Sequence, residues 1–284
     1  MSLRPWAEAT KDLPPGRLLD VAGREVGIER AGSGAPLVLL HGFGESTLAV
    51  EKVIPDLARH FDVVAIDLNG FGYTQRPRER ASYTLAGQAQ LVLDVMDRLG
   101  FEKVTLGGHS YGGGVALYLA AEHPERIQRL LLVDNVLPIF ATKRRAPFFA
   151  WRWVVNLVVH TIGLRDKRIE EGLLESYYDD ALVTPALIRE YADRLRIEGA
   201  VDAYRGLMGP TKELPYELDL ATIRQPTLVV WGAEDALIPA AGARETSAAL
   251  PDGRFVEIPA CGHNPMDECP KQFLDAALPF LTGR

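Results

Sequence analysis

The chain has little cysteine: two residues, Cys261 and Cys269, in 284. That excludes a disulfide framework, and free thiols in a reducing cytoplasm are the simplest reading, although the spacing leaves a bridge between the two open. It has no excess of positive charge either. Lys and Arg total 31 against 38 Asp and Glu, for a net charge of −7, so nothing draws it globally to nucleic-acid backbones or anionic membranes. The N-terminal MSLRPWAEATKDLPPGR has no apolar core of the kind a secretory leader carries. The greasiest stretch, Pro147 to Leu164, is interrupted by Arg152, Asn156 and His160 and is short for a membrane span. A cytoplasmic protein with no nucleic-acid partner and no stable membrane insertion is expected; oligomeric state is not legible. What is present is ordinary for a globule, 47% hydrophobic and 24% charged residues. The length suits one large domain or one domain carrying an insertion.

Two short segments, LLDVAG and REVGIERAG, flank Ala22-Gly23 and alternate weakly, as an antiparallel edge hairpin does. The pattern then changes to continuous apolar runs: PLVLL at 36–40, FDVVAI at 61–66, Val104 to Leu106, and IQRLLLV at 127–133. Helical stretches lie between them: one reaching about His60, Tyr83 to Leu99, and about Gly112 to Glu122. Runs without alternation suit strands buried on both faces, and their regular exchange with helices implies a parallel sheet. From about Pro138 to Asp219 the rhythm stops and the chain is helical in pattern and rich in aromatics. It resumes with PTLVVW at 226–231, a helix near Ala240 to Leu250, the strand Arg254 to Ile258 and a helix from about Lys271 to Leu281. The reading is a sheet domain over 1–137 and 220–284, interrupted by a helical insertion over 138–219.

Gly108-His109-Ser110-Tyr111-Gly112 follows the strand VTLG and precedes a helix. A serine on so tight a turn needs flanking glycines, and the turn lifts its hydroxyl clear of the sheet at a helix N-terminus. Serine is a poor nucleophile until a base takes its proton. His263 suits that role, on a loop after the last strand; His41 and His109 sit beside glycines with backbone work to do, and His60, His123 and His160 have plainer settings. Asp235 follows the strand TLVVW and reaches the same sheet edge, where it can hold the imidazole. Asp134, at the end of RLLLV, is its rival; Glu234 points elsewhere if Asp235 points at the histidine. His41-Gly42-Phe43-Gly44 follows PLVLL, so the backbone N–H groups of Phe43 and Tyr111 are the candidate oxyanion donors.

With HGFG at 41–44, DLNGFG at 67–72, GHSYGG at 108–113, WGAEDALIP at 231–239 and CGHNPMDECP at 261–270, the sequence resembles the α/β-hydrolase superfamily, in the order Ser, Asp, His. The resemblance runs from about Leu18 to Leu281. It implies a mostly parallel eight-stranded sheet with helices on both faces and a helical cap inserted after the sixth strand. It also implies a hydrolase; with no metal cluster, nucleotide loop or pyridoxal site apparent in the sequence, no cofactor and no metal are expected. Ser110 stands where epoxide hydrolases and haloalkane dehalogenases carry aspartate. Asn264 stands where C–C hydrolases of meta-cleavage products carry tryptophan, and their longer glycine-proline loop is absent. The remaining likeness is to the esterase and lipase branch, with a small, apolar ester as substrate. C–C bond hydrolysis, or a receptor that keeps the triad but turns over slowly, are the alternatives. In the aromatic stretch PFFAWRWVVNLVVHTIGL, Phe148, Trp151 and Trp153 are candidate pocket residues.

Overall fold

The computed structural model of the protein describes residues 3–136, 165–208 and 218–283. Eight strands form a single sheet: β1 (Leu18–Val21), β2 (Arg24–Gly32), β3 (Ala35–Leu40), β4 (Phe61–Ile66), β5 (Val104–His109), β6 (Ile127–Val133), β7 (Thr227–Gly232) and β8 (Gly253–Ile258). Their order is β1-β2-β4-β3-β5-β6-β7-β8. β1 and β2 form the expected antiparallel hairpin, turned by Ala22 and Gly23 at φ 52° and 81°. β2 also runs antiparallel to β4, and every pair from β4 to β8 is parallel.

The continuous apolar runs have a direct structural cause. Along β3, Val38 and Leu40 join one core with the helices Leu85–Leu99 and Ser110–Glu122, while Leu37 and Leu39 join a second core with Ile54–Leu57 and Pro270–Thr282. Side chains alternate across the sheet, but both faces are dry, so both sets are apolar.

Strand order fixes where a site can form. The chain passes from β3 to β4 on one side and then to β5 on the other. The loops after β3 and β5 therefore come together at the carboxyl edge, at the point where the strand order reverses, which is where sites form in open α/β sheets. HGFG follows β3 and Ser110 follows β5.

Several boundaries differ from those expected. The stretch after β3 is not one helix but a 3₁₀ turn, Thr47–Val50, and the short helix Ile54–Leu57. Ser46 caps the start of the first piece by accepting from Leu48 N, and Pro55, which lacks an N–H, sits at the start of the second. The helix expected from Tyr83 begins at Leu85, because the Thr84 side chain caps it by accepting from Gly87 N. The helix expected near Gly112 starts at Ser110, with no loop between strand and helix.

Within the insertion, the described residues form helices at Asp166–Ser176, Pro185–Leu195 and Ala200–Met208. Ile169, Leu173, Tyr177, Ile188, Tyr191, Ala192 and Leu195 give the first two a small core of their own. Residues 137–164 and 209–217, and with them Phe148, Trp151 and Trp153, lie outside the described residues. Cys261 and Cys269 form a disulfide, which settles the pairing that their spacing left open. Among the described residues no helix is long and apolar enough to cross a membrane.

Candidate active site

Ser110 is buried and takes φ 47°, in the left-handed region that costs a side-chain-bearing residue about 1–3 kcal/mol. The tightness of the turn explains the flanking glycines. A Cβ on Gly112 would lie 2.6 Å from the His41 carbonyl oxygen and 2.7 Å from that of Leu40, so only glycine lets the helix start this close to the end of β3. His109, the N-cap, makes no side-chain cap. The first amides of the helix, Tyr111 among them, have no intrahelical acceptor, and they lie at the positive pole of the helix.

Asp235 and His263 arrive from β7 and from the loop after β8. His263 Nδ1 lies 2.8 Å from Asp235 Oδ2, and both side chains are buried. The other oxygen, Oδ1, accepts from Leu237 N at 2.8 Å and Ile238 N at 3.0 Å. Burial alone would raise the Asp235 pKa, but the charge of His263, its hydrogen bond and these two amides outweigh burial, and the carboxyl titrates below its ordinary range. With Nδ1–H donated to Asp235, Nε2 is the ring nitrogen left to act as a base. His263 is brought to the serine turn by His109: the two rings are 4.9 Å apart, and His109 Nε2 is 2.6 Å from the His263 carbonyl oxygen. Among the described residues no hydrogen bond joins the Ser110 hydroxyl to His263.

Asp134 reaches the same edge. It takes φ 38°, is fully buried, and accepts from Gly232 N at 2.9 Å through Oδ1. Asp134, Asp235 and His263 each place a potential metal-ligand atom within 4.8 Å of the others. The Asp235–His263 hydrogen bond already engages two of those three groups. Phe43 packs edge-on to Tyr111, Phe71 and Tyr204 at centroid distances of 6.1, 5.3 and 5.7 Å. Tyr204 belongs to the helix Ala200–Met208, which therefore touches the loop after β3. Glu234 N donates to the Cys261 carbonyl at 2.9 Å, a backbone tie between the Asp235 turn and the histidine loop.

Three residues of this region escaped the sequence reading. Glu45 and His109 make a partly buried contact, Oε2 to Nδ1 at 2.9 Å, across 64 residues of sequence. Glu268 binds Gly262 N through Oε2 at 2.7 Å, and Tyr178 N and Asp179 N through Oε1 at 2.7 and 2.9 Å. A glutamate beside a glycine loop, or in the acidic run MDE, reads in sequence as a solvated charge. Only the fold shows that each is surrounded by N–H donors.

The chain matches the family described as alpha/beta hydrolase fold over residues 35–157 and 182–270. It is 32% identical over 293 aligned positions to the 2-hydroxymuconate semialdehyde hydrolase of Pseudomonas sp. strain CF600, covering 94% of each chain. The structure of a serine hydrolase involved in carbazole degradation superposes with a TM-score of 0.79 at 28% identity, over 94% of this chain and 98% of that one. A thermophilic esterase from Thermogutta terrifontis superposes with a TM-score of 0.74 at 25% identity, over 94% and 97% of the two chains. The strand order, the serine turn after β5 and the matched residues lead to one assignment: this chain is a member of the α/β-hydrolase family.

Proposed function

We propose that the protein is a serine hydrolase that cleaves carboxylic esters through an acyl-enzyme. The observation that carries this reading is the Asp235–His263 contact at 2.8 Å, on a histidine loop packed against the turn that bears the strained Ser110. In this reading His263 Nε2 takes the Ser110 proton as Oγ attacks the ester carbonyl. The Phe43 and Tyr111 amides hold the oxyanion, and Asp235 stabilises the imidazolium. His263 then gives the proton to the departing alkoxide, and the alcohol leaves. Water, deprotonated by the same nitrogen, attacks the acyl-serine, releases the carboxylic acid and restores Ser110. The helices of 165–208 act as part of a cap over the site.

A second reading has direct support from the relatives. The CF600 protein is named for 2-hydroxymuconate semialdehyde, and the carbazole protein for an aromatic degradation route. C–C bond hydrolysis at the same serine would follow that pattern. The test is kcat/KM for acetate, butyrate and octanoate esters of a chromogenic phenol beside that for a ring-fission dienoate. Saturable turnover of at least one ester, faster than that of the dienoate, supports the ester reading. The opposite ranking replaces it with the second.

A further inference from the structure

Glu45 and His109 take part in none of the steps above, yet the His109 ring is fully buried and the Glu45 side chain is only 10% exposed. The surroundings of the His109 ring fix its protonation. Nδ1 is 2.9 Å from Glu45 Oε2, and Nε2 is 2.6 Å from the His263 carbonyl oxygen. Both neighbours are acceptors, so each ring nitrogen is placed to donate, and only the imidazolium has two donors. His41, in the next strand's loop, is the contrast. Its Nε2 accepts from Leu68 N at 3.0 Å, which leaves Nδ1 to donate to the Gly42 carbonyl at 2.7 Å, the pattern of a neutral ring.

Glu45 Oε2 also accepts from Gly42 N at 2.6 Å. The pair is therefore tied to three loops at once: to the loop after β3 through Gly42, to the serine turn through the His109 backbone, and to the histidine loop through the His263 carbonyl. The joint is closely packed. A Cβ on Gly42 would meet Glu45 Oε2 at 2.8 Å and both His109 Nδ1 and Ser110 Cβ at 3.0 Å. We propose that Glu45 and His109 form a carboxylate–imidazolium positioning pair that holds the Phe43 loop, Ser110 and His263 in register. The proposal rests on the serine-nucleophile reading for its effect on turnover, but not for the state of the pair.

The electrostatics agree with this geometry. Burial pushes His109 down and Glu45 up; the charge and hydrogen bond of the other, with smaller contributions from the His263 carbonyl and Asp235 on His109 and from His41 and the Gly42 amide on Glu45, outweigh burial in each case. Several other groups face the pair. His41 and His263 lie on the flanking loops, Asp235 adds attraction for the His109 charge, and Tyr177 and Tyr191 of the insertion feel the Glu45 charge. Loss of the His109 proton would leave a bare carboxylate beside the Phe43 loop, where negative charge builds up during acyl transfer. Turnover should therefore fall on the alkaline side as this proton leaves.

The test is ring ¹⁵N NMR of histidine-labelled protein from pH 5 to 9, with the resonances assigned by their loss in His109→Asn or their shift in Glu45→Gln. In the parent protein, the His109 ring should show two protonated nitrogens at pH 7.5 and titrate above the ordinary histidine range. In Glu45→Gln, which keeps an acceptor for Gly42 N, that titration should move to lower pH. The alkaline limb of kcat/KM should move with it, and turnover should drop about 10- to 100-fold through misplacement of the reacting groups, with KM little changed. A single protonated nitrogen at pH 7.5 in the parent overturns the proposal. So does a Glu45→Gln protein with an unmoved titration or undiminished turnover. If the ring behaves as stated while the parent cleaves no ester, the pair stands and the ester reading falls.

Discussion

Asp134 and Asp235 end neighbouring strands and bring their carboxyl groups within 4.8 Å of each other and of His263, yet only Asp235 bonds the imidazole. Asp134 has one oxygen on Gly232 N and the other, Oδ2, buried without a hydrogen-bond partner. Burial, and then the negative charge of Asp235, push the Asp134 carboxyl well above its ordinary range, and the Gly232 amide offsets this only in part. Two acids at one site are thus set apart: Asp235 holds its charge and the histidine, and Asp134 behind it keeps its proton to higher pH than an ordinary carboxyl.

This division makes a prediction with a definite sign. The folded protein keeps a proton on Asp134 that the unfolded chain gives up above about pH 4, so the group costs stability increasingly as pH rises from there toward its folded pKa. Asn has the same shape without that cost. Asp134→Asn should melt with the parent near pH 4 and a few degrees above it at pH 8, with turnover within a few-fold of normal. Asp235→Asn should lower turnover by about 10²- to 10⁴-fold. A lower melting temperature for Asp134→Asn at pH 8 would show that Asp134 is charged, and the reverse ranking of turnover would move the acid to β6.

The serine turn offers a second test. In Ser110→Ala the atom that forms the acyl-enzyme is gone, and turnover should fall by on the order of 10⁴-fold or more. Ser110→Gly should be as inactive, but it removes the penalty of φ 47° and should melt at or above the alanine protein. A fluorophosphonate probe should label the parent at Ser110 and neither variant. Ordinary ester turnover by either variant would falsify the proposed nucleophile.

Much of this was legible in the sequence, for physical reasons. A strand buried on both faces must be apolar along its buried length, so PLVLL and the apolar stretches VVAI at 63–66 and LLLV at 130–133 announced themselves. A turn as tight as that at Ser110 demands glycine, so GHSYGG did too. Asp235 and His263 were legible because a parallel sheet delivers successive strand ends to one edge. The contacts of Glu45, His109 and Glu268 were not legible. Each depends on which donors another loop brings from far along the chain, and charge alone does not record that. The helix expected up to His60 failed for a local reason: the missing N–H of Pro55 breaks it in two.

The disulfide closes a loop across eight positions, with Gly262 and His263 inside it. Restricting so short a loop in the unfolded chain is worth about 2–3 kcal/mol. In the folded state the loop has other ties: Gly262 N to Glu268 and His263 N to the Ser176 carbonyl at 2.8 Å. Cys261→Ser with Cys269→Ser should therefore lower the melting temperature by several degrees while turnover at 25 °C stays within a few-fold of the parent. A large loss of turnover at full folding would show that the bridge itself positions His263.

Glu268 joins the histidine loop to the insertion. One oxygen holds Gly262 N, the residue before His263, and the other holds the amides of Tyr178 and Asp179 just past the helix Asp166–Ser176. Next to it the Tyr177 hydroxyl meets Asp267, which also pairs with Lys52 at 2.8 Å. Water can replace the carboxylate at Tyr178 and Asp179, which are exposed, and less readily at the half-buried contact with Gly262. Glu268→Ala should therefore cost only about 1–2 kcal/mol of stability. Its effect on rate should be larger in proportion, because a shift of Gly262 moves His263 directly: kcat should fall about tenfold or more, with a smaller change in KM. Glu268→Gln, which retains one acceptor oxygen, should recover part of kcat. Melting curves and steady-state kinetics on both variants separate the possibilities. A lower melting temperature with kcat unchanged in the alanine protein would reduce Glu268 to a structural tie, with no bearing on the position of His263.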